Sequence, residues 1–340
     1  MAHPSIHVEV FGKTDLGQTR DHNEDTFIVA DLTRDRASLL PEVRNHDVGD
    51  RGTLLMVADG MGGAAAGELA SAMAADLIHS HLAESWVEDA DDSLERFAFR
   101  LREALENANR RIHSYAGQRP EVRGMGTTAT AAGVLGTSLI MAQVGDSRGY
   151  LIRNGEAVQV TKDQSLTQRL VDAGQLTEDE AEHSVRRNII LQALGPEPQV
   201  TVELTIQDLR SNDVLVLCSD GLTGNVKGDE IAQVVATHPE PADACNRLVE
   251  MANERGGPDN ITVVIARFTG DGLKAPGTNS EPEYQVLEME DYPADETTDE
   301  YEAVDHQAPD AIRDFNRFIV PGIIAGIILA MIAFYFAFRH

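Results

Sequence analysis

The chain has 340 residues, with 56 acidic side chains against 28 basic ones and 42% apolar composition. A net charge of −28 excludes sequence-independent nucleic-acid binding, which needs basic side chains to displace counterions from phosphate. Two cysteines, Cys218 and Cys245, are too few for a disulfide framework or a multi-cysteine zinc site, so a small secreted scaffold is excluded as well.

The opening Met1-Ala2-His3-Pro4-Ser5 has no basic region followed by an apolar run, so no signal peptide is expected. The acidic group Asn23-Glu24-Asp25 precedes the apolar run Thr26-Phe27-Ile28-Val29, and residues 53–58 read as a strand leading into Asp59-Gly60-Met61-Gly62-Gly63. Residues 67–81 are Ala-rich with Leu69, Met73, Leu77 and Ile78 on one side, which reads as a helix. Leu94, Phe97, Leu101, Leu105, Ala108, Ile112 and Tyr115 recur at spacings of three and four, a single apolar helical stripe. Strands are expected at 128–135, 139–144 and 149–153, and Asn154-Gly155 marks a hairpin between Tyr150-Leu151-Ile152 and Val158-Gln159-Val160. Further strands are expected at 200–206, 214–218 and 261–268, with helical patterning over 229–255. Strands grouped between pairs of helices predict a layered α+β fold rather than alternating βαβ units.

Residues 270–317 differ in composition: 14 acidic and 3 basic side chains among 48 positions, with no apolar period. That reads as a self-repelling, disordered acidic linker, roughly 35–40 Å across as a flexible coil. Residues 318–338 then run 21 positions without a charge, bracketed by Arg317 and Arg339 and with four aromatics at the far end. The run spans about 31 Å as a helix and reads as a single C-terminal membrane anchor. Arg313 and Arg317 favour a cytoplasmic near side, which places the folded part in the cytoplasm at the cell membrane. Gly322 and Gly326, four apart, offer a small-residue face through which two anchors could form a homodimer.

The chemistry is concentrated in acidic turns at strand ends. Besides the two already named, these are Gly145-Asp146-Ser147-Arg148, Ser219-Asp220-Gly221 and Gly257-Pro258-Asp259-Asn260. Carboxylates gathered without cations would repel one another and lose hydration, so hard divalent ions with oxygen ligands, Mg²⁺ or Mn²⁺, are implied. Gly126-Thr127-Thr128-Ala129 is not followed by Gly-Lys-Ser/Thr, so it is no phosphate-binding P-loop and reads as core-strand packing.

With Gly17-Gln18-Thr19-Arg20-Asp21-His22 ahead of them, these motifs in this order resemble the metal-dependent type 2C Ser/Thr protein phosphatases, the PPM family, and especially its bacterial branch. The resemblance spans residues 7–268, the expected catalytic domain. It implies a four-layer αββα sandwich, two packed antiparallel sheets flanked by helices, to which the C-terminal transmembrane helix is added. It also implies hydrolysis of phosphoserine and phosphothreonine by a water bridged between two Mg²⁺ or Mn²⁺ ions. By the resemblance Asp59 would bridge the two metals, with the Gly60 carbonyl as a further ligand. Asp220 and Asp259 would complete the first metal's shell, and Glu24 and Asp25 would hold waters of the second. Asp146, with Asp220, would bind a weaker third metal, and Arg20 would bind the phosphate. Members of the family carry a histidine after the first Asp-Gly or after the Gly-Gly; here those positions are Met61 and Ala64, so no general acid is assigned. Residues 162–195 resemble the bacterial flap beside the active site, with Arg186 and Arg187 read as solvated surface side chains. The expected partners are phosphorylated proteins, including eukaryotic-like Ser/Thr kinases and their substrates. The competing reading is a catalytically inactive, membrane-tethered scaffold that binds phosphoproteins. Retention of Arg20, Glu24, Asp25, Asp59, Asp220 and Asp259 argues against it.

Overall fold

The strand Val214–Cys218 is buried on both faces. A strand with no solvated side lies between two layers, so its alternation of side chains shows what those layers are. Leu215 and Leu217 enter a core shared with strands of a second sheet. Val214, Val216 and Cys218 enter a different core, shared with helices.

The computed structural model describes residues 5–34, 36–38, 41–277 and 281–289. One sheet has six strands in the order β10 (Glu156–Gln159), β9 (Arg148–Arg153), β12 (Val214–Cys218), β13 (Ile261–Thr269), β1 (His7–Asp15) and β4 (Asn45–Asp47). The other runs β11 (Glu203–Asp208), β8 (Ser138–Val144), β7 (Ala129–Leu135), β5 (Thr53–Met61), β2 (Asp25–Asp31) and β3 (Arg36–Ala37), with β6 (Gly126–Thr127) paired to the end of β5. Every pairing is antiparallel. The helices are α1 (Pro41–Arg44), α2 (Ala64–Ser85), α3 (Leu94–Gly117), α4 (Leu166–Asp172), α5 (Glu178–Glu182), α6 (Asp220–Thr223), α7 (Gly228–Thr237) and α8 (Pro241–Glu254).

Three apolar cores separate the layers. Leu55, Val57, Met141, Leu215, Val264 and Phe268 fill the space between the sheets. On the outer face of the second sheet, Leu54, Met56 and Ala58 pack on α2 and α3. On the outer face of the first, Val216, Val263 and Ile265 pack on α7 and α8. The result is helices, sheet, sheet, helices, the architecture expected from the sequence. Helix α3 follows its stripe: Phe97, Leu101, Leu105, Ala108 and Ile112 are buried, and the Ser93 hydroxyl caps it by accepting the Arg96 N–H at 3.2 Å. In α2 the fully buried apolar positions are Ala70, Ala74, Ile78 and Leu82, while Leu69, Met73 and Leu77 are half-buried. Alanines let this helix approach the sheet closely.

Three expectations need correction. The strand placed at 200–206 begins at Glu203 instead, because residues 192 and 201 are engaged with each other: the Thr201 N–H donates to Gln192 Oε1 at 2.8 Å. Strand β1, with its alternation of Val8 and Val10 against Glu9 and Phe11, was not among the predicted strands, yet it pairs with β13 along its whole length. The acidic stretch from residue 270 is not wholly without structure. Leu273 is buried in the core between the sheets, the Gly272 N–H donates to the Ser5 carbonyl at 3.1 Å, and residues 283–287 lie along β11. Among the described residues no helix is long and apolar enough to cross a membrane. The apolar run 318–338, and Gly322 and Gly326 within it, lie outside the described residues.

Candidate active site

The register of β2 against β5 sets Asp25 opposite Asp59. The Gly60 N–H donates to the Glu24 carbonyl at 3.1 Å, so the acidic turn before β2 and the Asp-Gly turn after β5 are one backbone unit. A side chain at Gly60 would meet the Gly67 carbonyl at 2.3 Å, and one at Gly67 would meet Glu24 Oε2 at 1.9 Å. The two glycines therefore let the start of α2 close over the Glu24 and Asp59 turns. Asp59 is gripped through its backbone. Its N–H donates to Thr128 Oγ1 at 2.9 Å, and its carbonyl accepts the Thr128 N–H at 2.8 Å and the Thr127 hydroxyl at 2.9 Å. The Gly-Thr-Thr motif thus does more than pack the core.

The remaining acidic groups arrive from the first sheet. Strand β12 ends at Cys218, and Ser219 leads into Asp220 at the start of α6; Asp259 and Asn260 stand just before β13. The Ser219 hydroxyl donates to Asp25 Oδ2 at 2.8 Å and accepts the Thr262 N–H at 3.0 Å, so it stitches the two sheets at this end. Arg20 Nη2 donates to Asp259 Oδ2 at 2.7 Å. Asp146, on the turn from β8 to β9, is buried.

Asn260 is the residue that motif reading missed. It is buried, and its amide Nδ2 donates to the carbonyls of Leu16 and His22, both at 3.0 Å, while its Oδ1 accepts the Glu24 N–H at 2.9 Å. One side chain thereby shapes the loop that carries Arg20 and Glu24. The available signal was its place beside Asp259 in a strand-opening turn.

The electrostatics follow from crowding. Burial raises the Asp59 carboxyl well above its ordinary range, reinforced by the charges of Asp25, Asp220, Asp146 and Asp259. Burial pushes Asp25 up to about 7, against hydrogen bonds from Thr262 and Ser219. Asp146 is pushed up to about 8 by burial and then by Asp220 and Asp163. Asp220 is raised by burial and by Asp259, and is pulled back by a hydrogen bond with Asp59 and by the charges of Arg20 and Arg187. Glu24 is raised by burial, with Arg20 opposing. A centre of this kind calls for positive charge.

Two buried oxygens, Asp25 Oδ1 and Asp146 Oδ1, have no hydrogen-bond partner. Among the described residues no three acidic, histidine or cysteine side chains close into a metal-holding cluster. Asp25 is engaged with Ser219 and Asp259 with Arg20. The donor set, all carboxylate and carbonyl oxygen, fits hard divalent cations, and the partnerless oxygens are the atoms such ions would satisfy.

The flap is rooted beside this centre. Arg148 donates to both carboxylate oxygens of Asp163, the shortest contact being 2.7 Å. Gln164 clasps Gly145 in both directions, at 2.8 and 3.0 Å. Ser165 caps α4, its hydroxyl accepting the Gln168 N–H at 3.2 Å. At the other root, the Thr127 and Leu194 backbones exchange hydrogen bonds of 3.0 and 2.8 Å, and the Asn109 side chain holds Gly195 and Glu197. Arg186 and Arg187 are exposed as expected, yet the Arg187 charge is felt at Asp220.

The two-sheet sandwich thus gathers these carboxylates at one end, with an arginine beside them. The description protein phosphatase 2C belongs to the family profile that matches residues 42–261. The serine/threonine phosphatase stp of Listeria welshimeri is 35% identical over 254 residues, covering 74% of this chain and 93% of that protein. Protein phosphatase PhpP of Streptococcus pneumoniae is 38% identical over 259 residues, covering 76% and 96%. The crystal structure of the PstP catalytic domain with two manganese ions superposes with a TM-score of 0.63 at 35% identity, covering 78% of this chain and 99% of that one. The chain belongs to the protein phosphatase 2C family, in its bacterial branch, and is a serine/threonine protein phosphatase.

Proposed function

We propose that this phosphatase hydrolyses phosphoserine and phosphothreonine in proteins by direct attack of water on phosphorus, while tethered to the membrane by residues 318–338. The observation that carries the reading is the convergence of Asp25, Asp59, Asp146, Asp220 and Asp259, with the buried Oδ1 atoms of Asp25 and Asp146 left without partners. When bound, the two divalent ions supply charge neutralisation and acidify a water for attack. Asp59, with the Gly60 carbonyl, would stand between the ions; Asp220 and Asp259 would complete one shell, and Glu24 and Asp25 would order waters of the other. Asp146, with Asp220, would take a weaker third ion. Arg20 would offer its planar donors to the phosphoryl oxygens, sharing them with Asp259. An aspartyl-phosphate route is disfavoured because the position two beyond Asp59 is Met61.

The phosphoprotein partners would include Ser/Thr kinases of the same membrane, met by a catalytic domain on the cytoplasmic side. The glycine face at 322 and 326 would allow pairing of two anchors. Release of phosphate from a phosphothreonine peptide, with Mn²⁺ and with chelator, tests the chemistry. Asp220→Asn should abolish the metal-dependent rate; equal turnover by the variant would overturn the assignment. Flotation with membranes by the full chain, lost on truncation after residue 317, tests the anchor.

A further inference from the structure

Beyond the end of β13 the chain turns back. The Ser211 N–H donates to the Lys274 carbonyl at 2.9 Å, and residues 283–287 then run antiparallel to β11, the edge strand of the second sheet. The Ile206 N–H donates to the Gln285 carbonyl at 3.0 Å, and the Leu287 N–H donates to the Leu204 carbonyl at 2.8 Å. Gln207 extends the ladder with its side chain: its amide nitrogen donates to the Glu283 carbonyl, and its Oε1 accepts the Glu283 N–H at 3.3 Å. Leu287 and Met289 pack against the core beneath α2 and α3. An edge strand covered in this way is protected from pairing with other chains.

The placement of Tyr284 gives this segment a second consequence. Lys162, where the flap begins, sets its ammonium 5.9 Å from the centre of the Tyr284 ring, and the same ammonium pairs with Asp172 at the end of α4 at 2.9 Å. Burial, and then the nearby Glu203 carboxylate, raise the Tyr284 phenol above its ordinary range, so Glu203 at the start of β11 stands close to it. The segment therefore touches the entry of the flap at Lys162 and, through its backbone ladder, the strand β11 that follows the flap.

We propose that residues 281–289 form a strap that pins the entry of the flap at Lys162 to the strand β11 that follows it, so that release of the strap loosens the flap beside the catalytic centre. The device rests on the phosphatase reading only for its consequence; the strap itself is a statement about structure.

Trypsin cleavage after Arg186 and Arg187, both exposed on the flap, tests it without any need for turnover. In the full chain with Mn²⁺, Tyr284→Ala and Leu287→Pro should each raise the rate of cleavage at these bonds about tenfold, while the melting temperature stays within about 2 °C. Tyr284→Phe, which keeps the ring beside Lys162, should be cleaved at close to the wild-type rate. An unchanged rate at Arg186 and Arg187 in both of the first two variants would overturn the proposal. So would a rise shared equally by cleavage sites outside the flap, because that reports general loosening of the domain.

Discussion

Arg20 and Asp259 are joined by one hydrogen bond of 2.7 Å, in which Nη2 of the guanidinium donates to Oδ2 of the carboxylate. The arginine is half-exposed, with half of its side-chain surface still open, and Asp259 is more covered. One end of the guanidinium is therefore committed to a carboxylate of the acidic centre, while its other donors face outward. This pairing holds a positive charge at the rim of a site whose acidic groups otherwise repel one another, and Arg20 is one of the charges that draw Asp220 back toward ionisation.

Replacing Arg20 with alanine should lower kcat/KM for a phosphothreonine peptide by about tenfold or more, the weight of a charge-assisted hydrogen bond. Arg20→Lys should restore only part of it, because an ammonium cannot serve Asp259 and a phosphate in one plane. Steady-state kinetics on the two variants measures both effects.

Asn260 touches no substrate in this reading; it positions the loop of residues 16–24. Asn260→Ala removes three hydrogen bonds at once and should weaken Mn²⁺ binding about 10- to 100-fold, as loss of supporting contacts around a metal site commonly does. Calorimetric titration with Mn²⁺ reads the affinity directly. A variant that binds Mn²⁺ as tightly as the wild type would remove Asn260 from this role.

The raised carboxyls of Asp25, at about 7, and Asp146, at about 8, predict an unusual pH dependence of stability in the presence of chelator. Above the ordinary carboxylate pKa near 4, the unfolded chain has released these protons while the folded one still holds them. Stability should therefore fall as pH rises from about 5 to 8, by a few degrees in melting temperature. Mn²⁺ should reverse the trend, since it binds the ionised forms. Thermal melts at pH 5, 6.5 and 8, with and without Mn²⁺, give the result.

Far from the site, Asp89 accepts from Arg96 Nε at 2.7 Å and Arg100 Nε at 2.9 Å, and Glu103 accepts from Arg100 at 2.8 Å and pairs with His81 at 3.2 Å. Burial works against both carboxylates, yet these partners hold each down to about 2. Their depressed values contribute stability that is fully present above about pH 4 and lost as pH falls toward 2. Asp89→Ala should cost about 3 kcal/mol, because it leaves the buried Arg100 and the half-buried Arg96 without their shared carboxylate. Denaturant melts at neutral pH would measure that loss, and activity with Mn²⁺ should be unchanged.

Most of the layering was legible before any coordinates, for a reason visible in β12. A strand with Leu and Val on both faces has to be sandwiched, and one that ends in Ser-Asp-Gly has to turn at the edge of its sheet. The helical stripe of α3 was equally plain, because Phe97, Leu101, Leu105 and Ile112 repeat with the period of a helix. Strand β1 was less so: His7, Glu9 and Lys13 interleave with its apolar positions, and it is pairing with β13 that makes it a strand.

The sequence by itself determined which acidic turns stand at the mouths of core strands, since each follows or opens an apolar run. Only the tertiary structure decided how those side chains are held. Asn260 reaches Glu24 across 236 positions of sequence, and Ser219 reaches Asp25 across 194; no local pattern encodes such a meeting. The strap along β11 was hidden for a different reason. Its ladder is made by backbone groups and by the amide of Gln207, so an acidic, aperiodic segment can occupy a sheet edge without any apolar rhythm to announce it.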